Sequence, residues 1–433
     1  MNALCSENFP QGKALIEYAR NSNKKGNSGT QIMKKLKITT IVFLAGAAIC
    51  LCAILILLLT SDRGFGFGGE EYKDYSLVLE KEFDPANIKS LKIEYGMNSN
   101  DVIFCQGTGE SIVVREYLNF KPKENQLSTV EQDGSELHIK GARRNSFFFF
   151  SFRPRNSYTE IYLPEGFAEK LDTLYVKTLS GEIYSELSFA LQNSFSASST
   201  SGDIFFPEVK ASEIQFHSTS GEIHVEAAGC GLFSASTTSG DIRAEHVTGE
   251  SEVSSTSGEI ILGRQNGDIT VSTTSGDIRV EEVTGKSSVS TTSGEIIFKQ
   301  QNGDIEASST SGDIKIEELQ GNFEMDSSSG EVRIANGTGQ GRAETISGDV
   351  QIFLAELAGD LNISTTSGEV YLRLPETVSL TLDFDSTSGD CSTFFDDQLS
   401  FNKKGNKVDG QYGGGERQVQ VSTTSGDLRI SQY

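Results

Sequence analysis

Carboxylates recur along this chain at a nearly constant interval. The tripeptide Ser-Gly-Asp or Ser-Gly-Glu occurs thirteen times, with glycines at 181, 202, 221, 240, 258, 276, 294, 312, 330, 348, 368, 389 and 426. From Gly240 to Gly348 the step is constant. If each step is one turn of a stacked chain, the acids form a column with one carboxylate about 5 Å from the next. Such a column could coordinate Ca²⁺, which takes carboxylate and carbonyl oxygens. Asp241, Glu259, Asp277, Glu295 and Asp313 are the candidate ligands. The calcium nonapeptide Gly-Gly-x-Gly-x-Asp is absent, so solvated acids that cap turns are the expected reading and no cofactor is expected. Like charges this close repel by about 1 kcal/mol per pair even in water. Arg243, Arg279, Lys315, Arg333 and Arg429 stand two positions after the acid and can offset that repulsion.

Other reactive side chains form no site. The four histidines are His138, His217, His224 and His246, and only His217 and His224 are close in sequence. No Ser–His–Asp arrangement can be placed. Acidic-glycan cleavage by clustered Asp with Lys or Arg needs specialised positions, whereas the outward positions here repeat, so no enzyme activity is expected. Cys105, Cys230 and Cys391 are widely separated and match neither a disulfide framework nor metal-ligand spacing.

The elements that carry these residues are short strands. In Thr273–Val280, Ile278 and Val280 alternate with Asp277 and Arg279, which puts the apolar pair inward. A second turn falls halfway round, at Gly249, Gly267, Gly285, Gly303 and Gly321. Each rung is then two strands and two turns, with glycine where φ is positive. The serine before each repeated glycine is expected to form an axial hydroxyl column. One rung cannot bury its inner face, so rungs must stack. Thirteen rungs give a rod of about 60 Å. The acid alternates Glu, Asp from Glu182 to Asp390, and Asp427 breaks the order. The true unit is therefore 36 residues, and Thr237–Ser272 and Thr273–Ser308 agree at 26 of 36 positions.

Net charge is −23, yet residues 1–61 carry +5, which leaves −28 for the remainder. So acidic a body repels phosphate backbones, which argues against nucleic acid as a partner. Ile38–Leu59 is an uncharged apolar run of 22 residues, about 33 Å as a helix and enough to cross a bilayer. Lys34, Lys35 and Lys37 precede it, so the positive-inside rule puts residues 1–37 in the cytoplasm and residues 61–433 outside. The expected organisation is a cytoplasmic tail at 1–37, a transmembrane helix at 38–60 and a Gly-rich linker at 61–72. An irregular β cap at 73–172 and the repeat solenoid at 173–433 follow. Within the cap, Phe147, Phe148, Phe149, Phe150 and Phe152 stand among Arg143, Arg144, Arg153 and Arg155. That mix marks a contact patch, with Phe147–Phe150, Phe152 and Arg153 as the expected partner-facing residues.

Tyr158–Gly166, then Lys177–Ile183, the repeated Thr-Ser-Gly-Asp-Ile and the closing Ser422–Leu428 resemble a bacterial adhesin-like domain family of unknown function. That family is related to the toast-rack β-solenoids, and the resemblance covers roughly 75–433. It implies a right-handed single-stranded β-helix at the cell surface, often membrane-tethered, and brings no catalytic residues. The expected protein is thus an all-β solenoid behind one transmembrane helix, with two short strands and ~18 residues per rung. Its expected partners are membrane lipid around the helix and an unidentified protein or glycan. The expected role is non-catalytic adhesion, display or scaffolding in the envelope. A membrane-bound envelope-stress sensor is the alternative.

Overall fold

A computed structural model describes residues 75–96, 99–142, 156–395 and 407–433. The candidate span at 38–60 lies outside them. Among the described residues no helix is long and apolar enough to cross a membrane; the helical pieces are single 3₁₀ turns at Pro85–Asn87 and Glu124–Gln126. Residues 74–433 make one compact unit, an all-β solenoid.

Its central rungs show why the sequence alternates. In strand Ile278–Thr284, Ile278, Val280 and Val283 are buried while Arg279, Glu281 and Glu282 point outward. The next rung aligns in parallel exactly one repeat on, so Ile260, Ile278, Ile296 and Ile314 stack directly. All four are fully buried, and each such burial contributes about 1.5–3 kcal/mol. Toward the N-terminus the same core is aromatic: Phe195, Phe206, Phe216 and Phe233 pack with ring centroids 4.8–6.0 Å apart.

The interior also carries the longer Glu/Asp period. Val247, Gln265, Val283, Gln301 and Leu319 occupy one column, so a buried glutamine recurs on every second rung. Gln301 Oε1 accepts from Ser287 Oγ at 2.7 Å, and its Nε2 donates to the Gly285 carbonyl at 2.9 Å. Buried polar groups are tolerated when bonded in this way.

The two corners use glycine for different reasons. Gly249, Gly267, Gly285, Gly303, Gly321 and Gly339 have φ between +126° and +157°, where side chains are strained. The Ser-Gly-acid glycines do not. There a Cβ on Gly294 would lie 1.8 Å from the Gly276 carbonyl oxygen, and one on Gly312 would lie 1.7 Å from that of Gly294. Close stacking of backbones demands glycine at this corner, not φ. Eleven of these corners, Gly181 to Gly368, follow one another in chain order.

The hydroxyl column sits elsewhere than the sequence suggests. It is built by the residue three before each glycine, not by the adjacent serine. Thr291 Oγ1 accepts from Gly294 N–H at 3.1 Å and donates to the Gly276 carbonyl one rung below at 3.3 Å. Ser327 and Thr345 repeat the pattern. The adjacent serine works through its backbone: Ser293 N–H donates to the Thr274 carbonyl at 3.1 Å, and Ser311 N–H to that of Thr292 at 3.0 Å.

At both ends the chain order and the spatial order part company. Ser90–Glu94 lies between Glu136–Lys140 and Thr173–Lys177, parallel to both. Asn100–Gln106 likewise lies between Ser157–Leu163 and Ile183–Ser185, so the stack extends N-terminal to residue 173. At the other end, Arg417–Thr423 slides between Val350–Thr365 and Leu380–Ser386. Leu428–Gln432 slides between Val370–Leu374 and Cys391–Thr393. Antiparallel strands then cover the outer rungs: Thr129–Asp133 and Ile112–Leu118 at one end, Lys407–Tyr412 at the other. Covering an edge in this way blunts edge-to-edge aggregation.

Candidate functional site

The carboxylate column is a ridge in which the acids serve the fold. Asp241 Oδ1 accepts from the Glu259 amide at 2.8 Å, Asp277 from Glu295 at 2.9 Å and Asp313 from Glu331 at 2.9 Å. Each short aspartate thus caps the rung above. The longer glutamates Glu259 and Glu295 reach a cation instead. Lys315 Nζ bridges Glu295 at 2.6 Å and Asp313 at 2.9 Å, and Arg279 bridges Glu259 and Asp277. The amide cap recurs at Asp203, Asp241, Asp277, Asp313 and Asp349, which accounts for the aspartate on every second rung. Burial pushes the Asp313 carboxyl up, but Lys315 and the Glu331 amide outweigh it and hold Asp313 below its ordinary value. Hydrogen bonds donated to Glu295 and Asp313 hold the Lys315 ammonium above the usual lysine range. All five Ca²⁺ candidates, Asp241, Glu259, Asp277, Glu295 and Asp313, lie on this ridge, one per rung. Among the described residues no three His, Cys, Asp or Glu side chains are grouped to hold a metal. Asp427 follows Glu369 in space because the last rung is inserted, so it keeps the alternation. Asp390, whose amide donates to Asp427 Oδ1 at 2.9 Å, is the residue that breaks it.

The strand that follows the ridge presents an outward face. Along its middle rungs, Glu245, Arg264, Glu281, Glu282, Lys299, Glu317 and Glu318 line an open groove of about 460 Å³. Its charges are partly matched in place: Arg264 pairs with Glu282 at 2.9 Å and Lys299 with Glu281 at 2.5 Å.

Beyond Glu317 the composition of this face changes. The inner outward column reads Arg333, Gln351, Tyr371, Arg429, and the next reads Ala335, Phe353, Arg373, Ser431. The Arg373 guanidinium lies 4.8 Å from the Phe353 ring centroid and that of Arg333 lies 6.0 Å from it. Arg429 lies 5.7 Å from the Tyr371 ring. The Tyr371 hydroxyl donates to Glu369, and Arg333 reaches Gln351 at 3.5 Å. Among the described residues, Arg333, Arg373 and Arg429 form no ion pair; Arg279 and Lys315, in the column of Arg333 and Arg429, each bridge two carboxylates, while Arg243 in that column is likewise without one. Sequence reading missed this group because its members are scattered from Arg333 to Arg429, and Arg429 joins only through rung insertion. Loss of the column's glutamate after Glu317 was the available signal.

The remaining candidates stay apart. Phe147–Phe150, Phe152 and Arg153 lie outside the described residues. His138 bonds Glu94 at 2.9 Å, His217 bonds Ser236 Oγ at 2.9 Å, His224 meets Phe205 edge-on and His246 lines the groove. Among the described residues Cys105, Cys230 and Cys391 form no disulfide. Burial, with Glu186 and Glu160 nearby, pushes Cys105 up to about 12, and burial pushes Cys230 up to about 11.

The family described as Toastrack DUF4097 matches residues 88–280, 265–322 and 318–431. No curated protein matches. Among solved structures, a "putative cell adhesion protein" from Clostridium sporogenes is 11% identical, with 82% of this chain and 99% of that one covered and a TM-score of 0.16. A "putative lipid binding protein" from Parabacteroides distasonis is 17% identical, covering 69% and 97%, with a TM-score of 0.24. A "putative adhesin" from the same organism is 12% identical, covering 67% and 97%, with a TM-score of 0.25. At these identities and TM-scores the likeness carries no functional weight.

Proposed function

The chain belongs to the Toastrack DUF4097 family, and from that premise we propose that it is a non-catalytic solenoid module of the cell envelope, used for adhesion, display or scaffolding. In this reading residues 38–60 anchor it as a single-pass helix, residues 1–37 face the cytoplasm and residues 61–433 project outside. One observation carries the reading. On the central rungs Arg264, Arg279, Lys299 and Lys315 are each paired with a carboxylate, while on the last rungs Arg333, Arg373 and Arg429, with no ion pair among the described residues, gather around the half-exposed Phe353 and Tyr371 rings. The centre then serves as a shaft and its C-terminal rungs as a contact face. The test removes Thr237–Ser308, two whole Glu/Asp units, from the full chain displayed on cells. Surface attachment should persist with a shorter reach. Loss of attachment from a chain that still folds would mean that the repeats themselves make the contact.

A further inference from the structure

We propose that the C-terminal rungs bind a linear acidic glycan, carboxylated at intervals, laid along the solenoid axis over Arg333, Phe353, Tyr371, Arg373 and Arg429. The proposal rests on the contact-face reading above and names the ligand class of that face. Three guanidiniums with no ion pair among the described residues project from these rungs, where three of the four corner acids are engaged: Asp349 Oδ1 holds the Glu369 amide at 2.8 Å, Asp427 Oδ1 holds that of Asp390, and Glu369 holds the Tyr371 hydroxyl, while one Glu331 oxygen is buried without a partner. A guanidinium presents a planar fork that matches a carboxylate with two hydrogen bonds. Stacking on Phe353 and Tyr371 pre-orients that fork, so less freedom is lost on binding.

The spacing selects among polyanions. Arg333 to Arg429 spans three rung steps, about 14 Å, with Arg373 about 10 Å from the first and about 5 Å from the last along the axis. A duplex nucleic acid carries one charge per ~1.7 Å of axis, far denser than this. A glycan with one carboxylate on each sugar has the sparser charge that fits. An added peptide strand is also disfavoured. The backbones of Val350–Thr365, Val370–Leu374 and Leu428–Gln432 are paired on both sides, so there is no free edge for strand addition. Recognition must come from side chains, and Gln351 and Ser431 in the same columns supply neutral groups for sugar hydroxyls.

The test titrates fluorescently labelled polygalacturonate oligomers into the full-length chain in detergent micelles. Binding is expected. It should weaken about tenfold or more in Arg373→Gln and further in Arg333→Gln/Arg373→Gln, at unchanged melting temperature. Raising salt from about 50 to about 200 mM should weaken it, and neutral dextran should not bind. Glu281→Gln, on the groove, should leave it unchanged. Absence of polygalacturonate binding would overturn the proposal, as would undiminished binding in the double variant. Tighter binding of single-stranded DNA, polyphosphate or phosphatidylglycerol vesicles would reassign the patch to phosphates. Self-association abolished by the same substitutions would reassign it to a second copy. If displayed cells still attach through the C-terminal rungs while polygalacturonate fails to bind, the ligand class falls and the contact-face reading stands.

Discussion

Thr291 and Gly294 show how much of the fold rests on single residues. The threonine hydroxyl takes the glycine N–H and gives its proton to the rung below. Thr291→Val keeps the shape but orphans a buried N–H, which costs about 1–3 kcal/mol. Gly294→Ala forces a Cβ against the Gly276 carbonyl, and overpacking of this kind costs about 1–3 kcal/mol. Both should lower the urea midpoint, whereas Thr292→Ala, at an exposed position, should not. Asp313 sets a pH signature. Its folded carboxyl is held below the ordinary value, so its stabilisation is present above an unfolded pKa of about 3.9 and is lost as pH falls through the lowered folded value. The melting-temperature gap between wild type and Asp313→Asn should close below about pH 4. Asp326 runs the other way. Burial raises it, Glu344, Glu324 and Glu306 add to that, and Arg342 opposes; one buried oxygen has no partner. A raised folded pKa makes the ionised form costly near neutrality, so Asp326→Asn should raise the melting temperature at pH 7 and lose that advantage in acid.

Between neighbouring rungs the pairing has parity. Aspartate caps the rung above, Glu259 and Glu295 reach a cation on the next rung, and the buried Gln265 and Gln301 stand two rungs apart. Deleting residues 237–272 restores every partnership one unit on. Deleting residues 255–272 removes half a unit, sets Asp241 beneath Asp277, deprives Arg279 of Glu259 and deprives Ser251 of Gln265. The shorter deletion retains one more rung, yet calorimetry should find it the less stable. The inserted last rung makes a second element-scale forecast. Truncation after Tyr412 bares Val350–Thr365 and Val370–Leu374 on one side and Leu380–Ser386 on the other. Exposed parallel edges recruit other chains, so light scattering should report aggregation of the truncated chain.

At the scale of the molecule, the ridge is a structural seam. With Asp241, Asp277 and Asp313 holding amides and Glu259 and Glu295 holding cations, millimolar Ca²⁺ should leave the melting temperature unchanged; a rise of several degrees would restore the ridge as a cation site. Burial keeps the Cys105 thiol protonated up to about pH 12, so a neutral thiol reagent should label it only after unfolding.

The stack itself was legible because it is periodic. A constant step with Ile and Val in fixed phase admits one solution, the alignment of like on like, and a stacked glycine corner is its necessary hinge. The Glu/Asp alternation was legible too, though its cause was not, because a bond between a carboxylate and an amide one repeat away is invisible until rungs are in register. The hydroxyl column was misassigned for the same reason: Ser293 and Thr291 are equally good donors on paper, and only burial separates them. What the tertiary structure alone decided is where periodicity fails. The ends are threaded, with Arg417–Gln432 inserted ahead of Leu380–Thr393 in the stack; with Lys407–Tyr412 covering Leu380–Ser386 from outside, both Arg417–Thr423 and Leu380–Ser386 keep a partner on each side. That insertion sets Arg429 against Tyr371 and completes a patch that no local pattern in the sequence announces.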